Sequence, residues 1–324
     1  MTNQQASSFF FPGEPVGEGD MRVTLLGTGT PFPRRGQAGA SILVEAGPNN
    51  KFILDCGPGA PQNFTSLNIP FPLADKIFFT HHHMDHIGGF GQFWIGGWTY
   101  GRRKPLRVWG PPGTKDICAH YEKIYAWDIE TRRRVFKTLD GSQLDVTEYE
   151  EGTFFNEDGV SIRAIKVIHT PPQNTFAMRV EYGKRVFVFS ADTKRCDALI
   201  EQAQGADLFV HEAFPPVEVY TEKAGRPLEL ARIIAEEVHT SPAEAGGVFA
   251  LTRPKLGVIY HMYNNEDVIA PAVTRIRERY QGRVEIGYDL MVIDVADEVR
   301  VRKAVVDDKP WPLRAQGEPA GDTH

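Results

Sequence analysis

The segment FFTHHHMDHIGGF, Phe78 to Phe90, sets four of the chain's ten histidines and one aspartate within six positions. Imidazole and carboxylate are ligands that suit zinc and similar divalent ions. The cluster closes an apolar run, DKIFFT, that reads as a strand. A loop at a strand tip can turn alternate side chains into one cavity. On that alternation His81 and His83 point together, Asp85 and His86 follow, and His82 points away. The competing reading is a polar surface loop.

Other ligand-type side chains recur in the same setting. His169 ends IRAIKVIH, Asp192 follows VFVFSA, His211 and Glu212 lie in DLFVHEAF, and His261 ends LGVIYH. Each stands at the C-terminal tip of an apolar strand. Taken singly, any of them is also readable as a core histidine or a cap. Asp192 would cap a helix starting near Lys194, and His239 would be the neighbour of a helix start before TSPAEA. Several such tips in one chain indicate a site assembled from distant segments.

The elements that must deliver these residues follow from the hydrophobic pattern. MRVTLLG, ASILVEA, KFILDCG, DKIFFT and LRVWG read as strands, and TFAMRVEYGKRVFVFSADT reads as a hairpin bent at YGK. Helices are expected over Gln92–Tyr100, from PPGT through Trp127, over Thr193–Gln204, over Ser241–Leu251 and over Asn265–Tyr280, with YDLMVIDV as the last strand. Two similar halves, each of strands with peripheral helices, predict an α/β fold: an αββα sandwich of two mixed β-sheets with helices outside. The expected organisation is an N-terminal arm over 1–20, one domain over 21–305 and a C-terminal tail over 306–324.

Bulk properties narrow the function classes. The chain has 324 residues, 41% of them hydrophobic, and a formal charge of −6. That charge argues against a nonspecific nucleic-acid binder. Cys56, Cys118 and Cys196 are odd in number and widely spaced, which fits a reducing compartment and neither a disulfide framework nor a thiolate metal site. The N-terminal stretch MTNQQASSFFFPGEP lacks the basic start of a secretory signal, and no apolar run reaches the roughly 20 residues of a membrane span. A cytoplasmic protein without a membrane partner is the expectation.

The pieces LLGTGTPFPRR, FILDCGPG, FFTHHHMDHIGG, WGPPGT, VIHTPP, FSADT, VHEAF, HTSPAEA and IYHMYN, in this order over most of the chain, resemble the metallo-β-lactamase superfamily and in particular its tRNase Z-like branch. The resemblance implies a dinuclear site. His81, His83 and His169 would bind one metal, Asp85, His86 and His261 the other, and Asp192 would bridge them. The cofactors would be two divalent ions, zinc first, with manganese or iron as alternatives. It also implies a metal-bridging hydroxide as nucleophile. Asp85, Glu212 and His239 are the candidate catalytic residues, with Glu212 and His239 serving the departing group. Asp55 would hydrogen-bond a ligand imidazole, and His211 would support the ligands from behind.

The expected substrate is a small phosphodiester or sulfate ester, cleaved by a phosphodiesterase or arylsulfatase-like enzyme. The alternatives are a tRNA 3′-processing endonuclease and a lactone or β-lactam hydrolase of the same fold. His169 and Asp192 stand only 23 positions apart, and a tight hairpin fills the interval in which the resembling bacterial tRNase Z enzymes carry their tRNA-binding arm. Together with the acidic charge, this argues against nucleic acid as a partner. GFGQFWIGGWTYGRRKP reads either as an aromatic pocket wall or as core packing, and FFFPGEP as a segment that docks at a pocket mouth or a subunit contact. The resemblance also allows a homodimer.

Overall fold

The computed structural model describes residues 7–136, 138–169 and 174–313. Its strands are β1 (Phe9–Phe10), β2 (Met21–Gly27), β3 (Ser41–Ala46), β4 (Asn50–Leu54), β5 (Ala74–Phe78), β6 (Leu106–Gly110), β7 (Leu144–Glu148), β8 (Gly152–Glu157), β9 (Val160–Lys166), β10 (Phe176–Tyr182), β11 (Arg185–Phe189), β12 (Leu208–Glu212), β13 (Leu256–Tyr260), β14 (Val284–Ile286), β15 (Met291–Val295) and β16 (Val299–Ala304). Among the described residues they form a nine-stranded sheet, β1-β16-β15-β2-β3-β4-β5-β6-β7, and a seven-stranded sheet, β14-β13-β12-β11-β10-β9-β8. Each mixes parallel and antiparallel pairs.

Period-two alternation decides the layering. Ile42, Val44, Phe52 and Leu54 face inward and meet Ile162, Met178, Val210 and Val258 of the other sheet. The residues between them, Leu43 and Ile53, face outward onto the helices Ala60–Ser66 and Phe90–Thr99. On the far side Phe209 and Ile259 pack against the helices Pro242–Thr252 and Glu266–Arg279. The result is the αββα sandwich that the sequence predicts. None of the described helices is long and apolar enough to cross a membrane.

Several local expectations are corrected. YDLMVIDV is not the last strand, because β16 follows and pairs with β15. Its VRVRKA pattern reads as polar because its arginines serve ion pairs, Arg302 with Glu14 and Asp294 and Arg300 with Glu298. FFFPGEP does not dock at a pocket mouth. It supplies β1, which pairs with β16 in parallel, and Phe10 is buried beneath the guanidinium groups of Arg22 and Arg302. The helix expected from Thr193 starts only at Asp197, and the helix expected from the prolines at 111–112 starts at Thr114 and runs on to Arg132. Between Glu212 and His239 lie the helices Val217–Ala224 and Leu228–Arg232 and a π-helical turn, Ile233–Val238, none of which the pattern announced. Thr170–Pro172 of VIHTPP, residues 1–6 of the arm and 314–324 of the tail lie outside the described residues.

The aromatic run after the histidine cluster is core. Phe90, Phe93, Trp94 and Trp98 are buried, the first three against the outer face of the nine-stranded sheet. The Trp94 and Trp98 indoles donate to the carbonyls of Ser142 and Thr138. Arg102 is buried with them and donates to the Trp94 and Gly141 carbonyls. These rings wall neither of the two clefts beside the histidine cluster.

Candidate metal centre

The parallel ladder β11-β12-β13 aligns three strand ends. Asp192 follows β11, Glu212 ends β12 and His261 follows β13. Across the sandwich, β5 ends just before Phe79, and the loop beyond it carries His81 and His83 into the short helix Met84–Ile87, which holds Asp85 and His86. His169 follows β9. Residues scattered over 180 positions of sequence thus meet at one end of the sheets.

Seven of them meet as two groups that share a carboxylate, and Glu212, His239 and His261 form a third beside them. His81, His83, His169 and Asp192 form the first, and Asp85, His86, Asp192 and His261 the second, with candidate ligand atoms within 4.8 Å of one another in each. Asp192 Oδ2 lies 3.9 Å from His81 Nε2, 3.9 Å from His169 Nε2 and 3.5 Å from His261 Nε2, while its Oδ1 lies 3.3 Å from His86 Nε2. Ligands placed 2.0–2.1 Å from a tetrahedral ion are about 3.4 Å apart, so these separations suit cations between them. His81 Nε2, His86 Nε2 and Asp192 Oδ1 are buried without a hydrogen-bond partner, although buried polar atoms are ordinarily satisfied. The donor set therefore fits two divalent cations.

Outer partners hold the rings. His86 Nδ1 donates to Asp55 Oδ2 at 2.8 Å, and Thr80 Oγ1 donates to the same oxygen at 2.8 Å. His81 Nδ1 meets Thr80 Oγ1 at 3.0 Å, so Asp55 orients one imidazole directly and a second through a hydroxyl. His169 Nδ1 donates to the Val238 carbonyl at 3.2 Å. Such contacts fix the tautomer and aim the other nitrogen inward. His82, as alternation predicts, turns away, and its Nε2 meets Thr114 Oγ1 at 2.7 Å. His211 contacts none of the grouped side chains. Its ring lies beside Phe209 and Phe249, and its Nδ1 bonds the Glu212 carbonyl.

Electrostatics agree with an anionic cage. Burial alone would raise the Asp192 carboxyl, but the charges of His261, His86 and His81 outweigh burial and hold it well below the carboxylate range. Burial opposes a charge on His86 as well, and Asp192, Asp85 and Asp55 overcome it and raise that imidazole well above its usual value. A proton on an imidazole there balances clustered carboxylates, a task that a cation takes over when it binds.

Glu212 and His239 form an adjoining pair. His239 Nδ1 meets Glu212 Oε1 at 2.9 Å, and the same oxygen accepts from the Thr193 backbone N–H at 2.7 Å. The helix after Asp192 starts late because Cys196 is extended and the Thr193 and Lys194 carbonyls accept from the Thr240 and Thr193 hydroxyls instead of from a following turn. His239 is not a helix cap: Ser241 caps the next helix, in a capping box with Glu244. Its ring stacks on Phe214 at 4.8 Å and 15° and lies 5.2 Å from the ring of His169. Burial would lower the imidazole, but Glu212 outweighs burial and pushes it up to about 9. Thr80, Thr193 and Phe214 were not anticipated. Only Thr80, directly before the histidines, carried a signal in the sequence.

Three non-glycine residues here take the left-handed region: Asp55 (φ 55°), Ala191 (φ 54°) and His261 (φ 58°). Such conformations cost ~1–3 kcal/mol each and persist where packing over-determines them. Two clefts flank the cage. One of about 580 Å³ is lined by Thr30, Arg34, Gln37, Asp85 and Asp289. The other, of about 760 Å³, is lined by Phe32, Arg34, Phe214, Tyr220, His239 and Tyr263.

Comparison with known proteins places this geometry. Residues 21–220 match the family model described as Anti-Pycsar protein Apyc1. The chain is 31% identical over 283 residues to a protein of Mycobacterium marinum named Ribonuclease Z, covering 85% of this chain and 99% of that one. Among solved structures, the metallo-β-lactamase fold protein YhfI of Bacillus subtilis superposes with a TM-score of 0.64 at 20% identity, covering 85% of this chain and 99% of its own. Human tRNase Z, short form, superposes with a TM-score of 0.62 at 20% identity over the same shares. The ribonuclease name of that relative stands against the expectation that nucleic acid is an unlikely partner. The chain belongs to the tRNase Z-like branch of the metallo-β-lactamase superfamily, a group of metal-dependent hydrolases.

Proposed function

We propose that the chain hydrolyses phosphodiester bonds with the help of two divalent cations. The observation that supports this is the pair of ligand groups sharing Asp192. His81, His83 and His169 would hold one cation, and Asp85, His86 and His261 the other, with Asp192 between them. Zinc suits this donor set, and manganese and iron suit it as well. Such cations, when bound, supply Lewis-acid charge and water acidic enough to react at neutral pH. The protein's own groups do the rest. Glu212 engages His239 Nδ1, which leaves Nε2 to deliver a proton to the departing oxygen. Asp55 and Thr80 keep the imidazoles aimed. A cytoplasmic setting suits three buried, unpaired cysteines.

For the substrate we favour RNA, with cleavage at the 3′ end of precursor tRNA, because the Mycobacterium marinum relative is similar along nearly its whole length. One observation supports a second reading, a small phosphodiester: β10 and β11 pair as a tight hairpin in the interval where the resembling enzymes carry a tRNA-binding arm. Metal analysis with turnover of precursor tRNA, bis(p-nitrophenyl) phosphate, p-nitrophenyl sulfate and a lactone tests both. Two metals per chain are expected, with phosphodiester turnover lost on chelation and on Asp192→Ala and restored by zinc or manganese after chelation. At cation concentrations near 1,000 times Kd, each of the two metals would add about 4 kcal/mol of stability, visible as a raised Tm. A chain that holds two metals and leaves every phosphodiester intact overturns the proposal.

A further inference from the structure

Asp289 lies between β14 and β15 and belongs to neither ligand group nor to the Glu212–His239 pair. Four donors converge on its carboxylate. Oδ1 accepts from the Thr28 N–H at 3.0 Å and from Thr28 Oγ1 at 2.8 Å; Oδ2 accepts from the Ala38 N–H at 2.6 Å and from Asn63 Nδ2 at 3.2 Å. Thr28 and Ala38 bracket one loop, so a single side chain closes its base. Gln37 Nε2 ties the same base to Thr28 Oγ1 at 3.1 Å and to the Met262 carbonyl, just beyond His261, at 2.8 Å.

The closed loop does two things. Its exit abuts the cage: a Cβ at Gly39 would stand 2.7 Å from the Asp85 carbonyl oxygen. Its tip walls both clefts through Thr30–Arg34. Arg34 is held there by amide oxygens, Gln37 at 3.1 Å, Asn264 at 3.0 Å and Asn265 at 2.7 Å. Among the described residues no carboxylate pairs with it, so its charge is oriented but not neutralised. Phe32, also at the tip, is 64% exposed.

We propose that Asp289 is a positioning residue that clamps the loop 28–38 so that Arg34 meets the anionic substrate. The proposal rests on the phosphodiester reading for its kinetic half and on the loop alone for its structural half. Asp289→Asn is isosteric but sets an NH2 against donors, so the clamp should open. The expected result is a KM for bis(p-nitrophenyl) phosphate raised ~10-fold or more, because a charge-assisted contact made before the reaction is lost. The kcat should change less than about threefold, since such a contact acts in binding. Metal content should be unchanged, and trypsin should cut after Arg34 or Arg35 faster. Thr28→Val, which removes one of the four bonds to Asp289 and the Gln37 tie to the same hydroxyl while leaving the other three, should shift both readouts the same way and carries the decision if the asparagine variant does not fold. Arg34→Gln should reproduce the KM effect without altering metal content. Wild-type KM and wild-type proteolysis in the Asp289 variant would overturn the clamp. So would a fall in kcat at unchanged KM, or a loss of metal. If the wild-type protein turns over no phosphodiester, the functional reading fails, and the trypsin rates decide the clamp alone.

Discussion

Asp55 and His86 share a 2.8 Å hydrogen bond with both side chains fully buried, on the side of the imidazole turned away from the ligand groups. Asp55 is thus the outer support of one candidate ligand and, through Thr80, of a second. Asp55→Ala should weaken metal binding ~10–100-fold, as loss of such supports does in other metal sites. Competition against a chromogenic chelator measures it; an unchanged affinity would mean that the carboxylate only fills space.

The Glu212–His239 pair is expected to matter in proportion to how badly the departing oxygen needs a proton. His239→Ala should lower kcat by ~10²–10⁴ for a poor leaving group such as a nucleoside hydroxyl. It should do much less for p-nitrophenolate, which leaves unaided. Equal losses on both substrates would assign the pair a purely structural role.

Trp94 is core, and the prediction follows from packing. Trp94→Ala should cost about 3–5 kcal/mol of stability. The surviving folded enzyme should keep its KM, because the ring lines neither cleft. Denaturant titration and steady-state kinetics on one preparation separate the two effects. A shifted KM with intact stability would restore the pocket-wall reading.

Burial pushes the Cys56 thiol up, and it pushes the Cys118 thiol to about 12. A raised thiol pKa lowers the thiolate fraction, so at pH 8 only about 1 in 10⁴ of Cys118 is reactive. Native protein should therefore leave both residues unmodified by DTNB, and denaturant should release them. Rapid native labelling at either position would contradict the burial.

Much of the fold was legible because β2–β5 and β10–β13 are short, mostly apolar runs bounded by turn or polar residues, buried along most of their length, and β11, β12 and β13 deliver a ligand-type residue at or just past their ends. The misses have physical causes. β16 hides its strand character behind its arginines, of which Arg302 pairs with Asp294 across to β15 and with Glu14, and Arg300 pairs with nearby Glu298. The run from Phe90 to Trp98 has the same composition whether it walls a pocket or fills a core, and only the partner surface decides. The helix after Asp192 is cut short because the Thr193 carbonyl accepts from the hydroxyl of Thr240, 47 positions on, and Cys196 is extended. Asp289 drew no notice for the same reason: its partners, Thr28, Ala38 and Asn63, lie more than 220 positions away.

The left-handed backbone at Asp55, Ala191 and His261 carries a consequence for anyone who would engineer this chain. Glycine at 191 would relieve the steric penalty locally, yet it would loosen the link that aims Asp192 from the end of β11. Thermal robustness and turnover should therefore trade against each other at that position, and selection for heat tolerance alone would drift toward a tougher, slower protein.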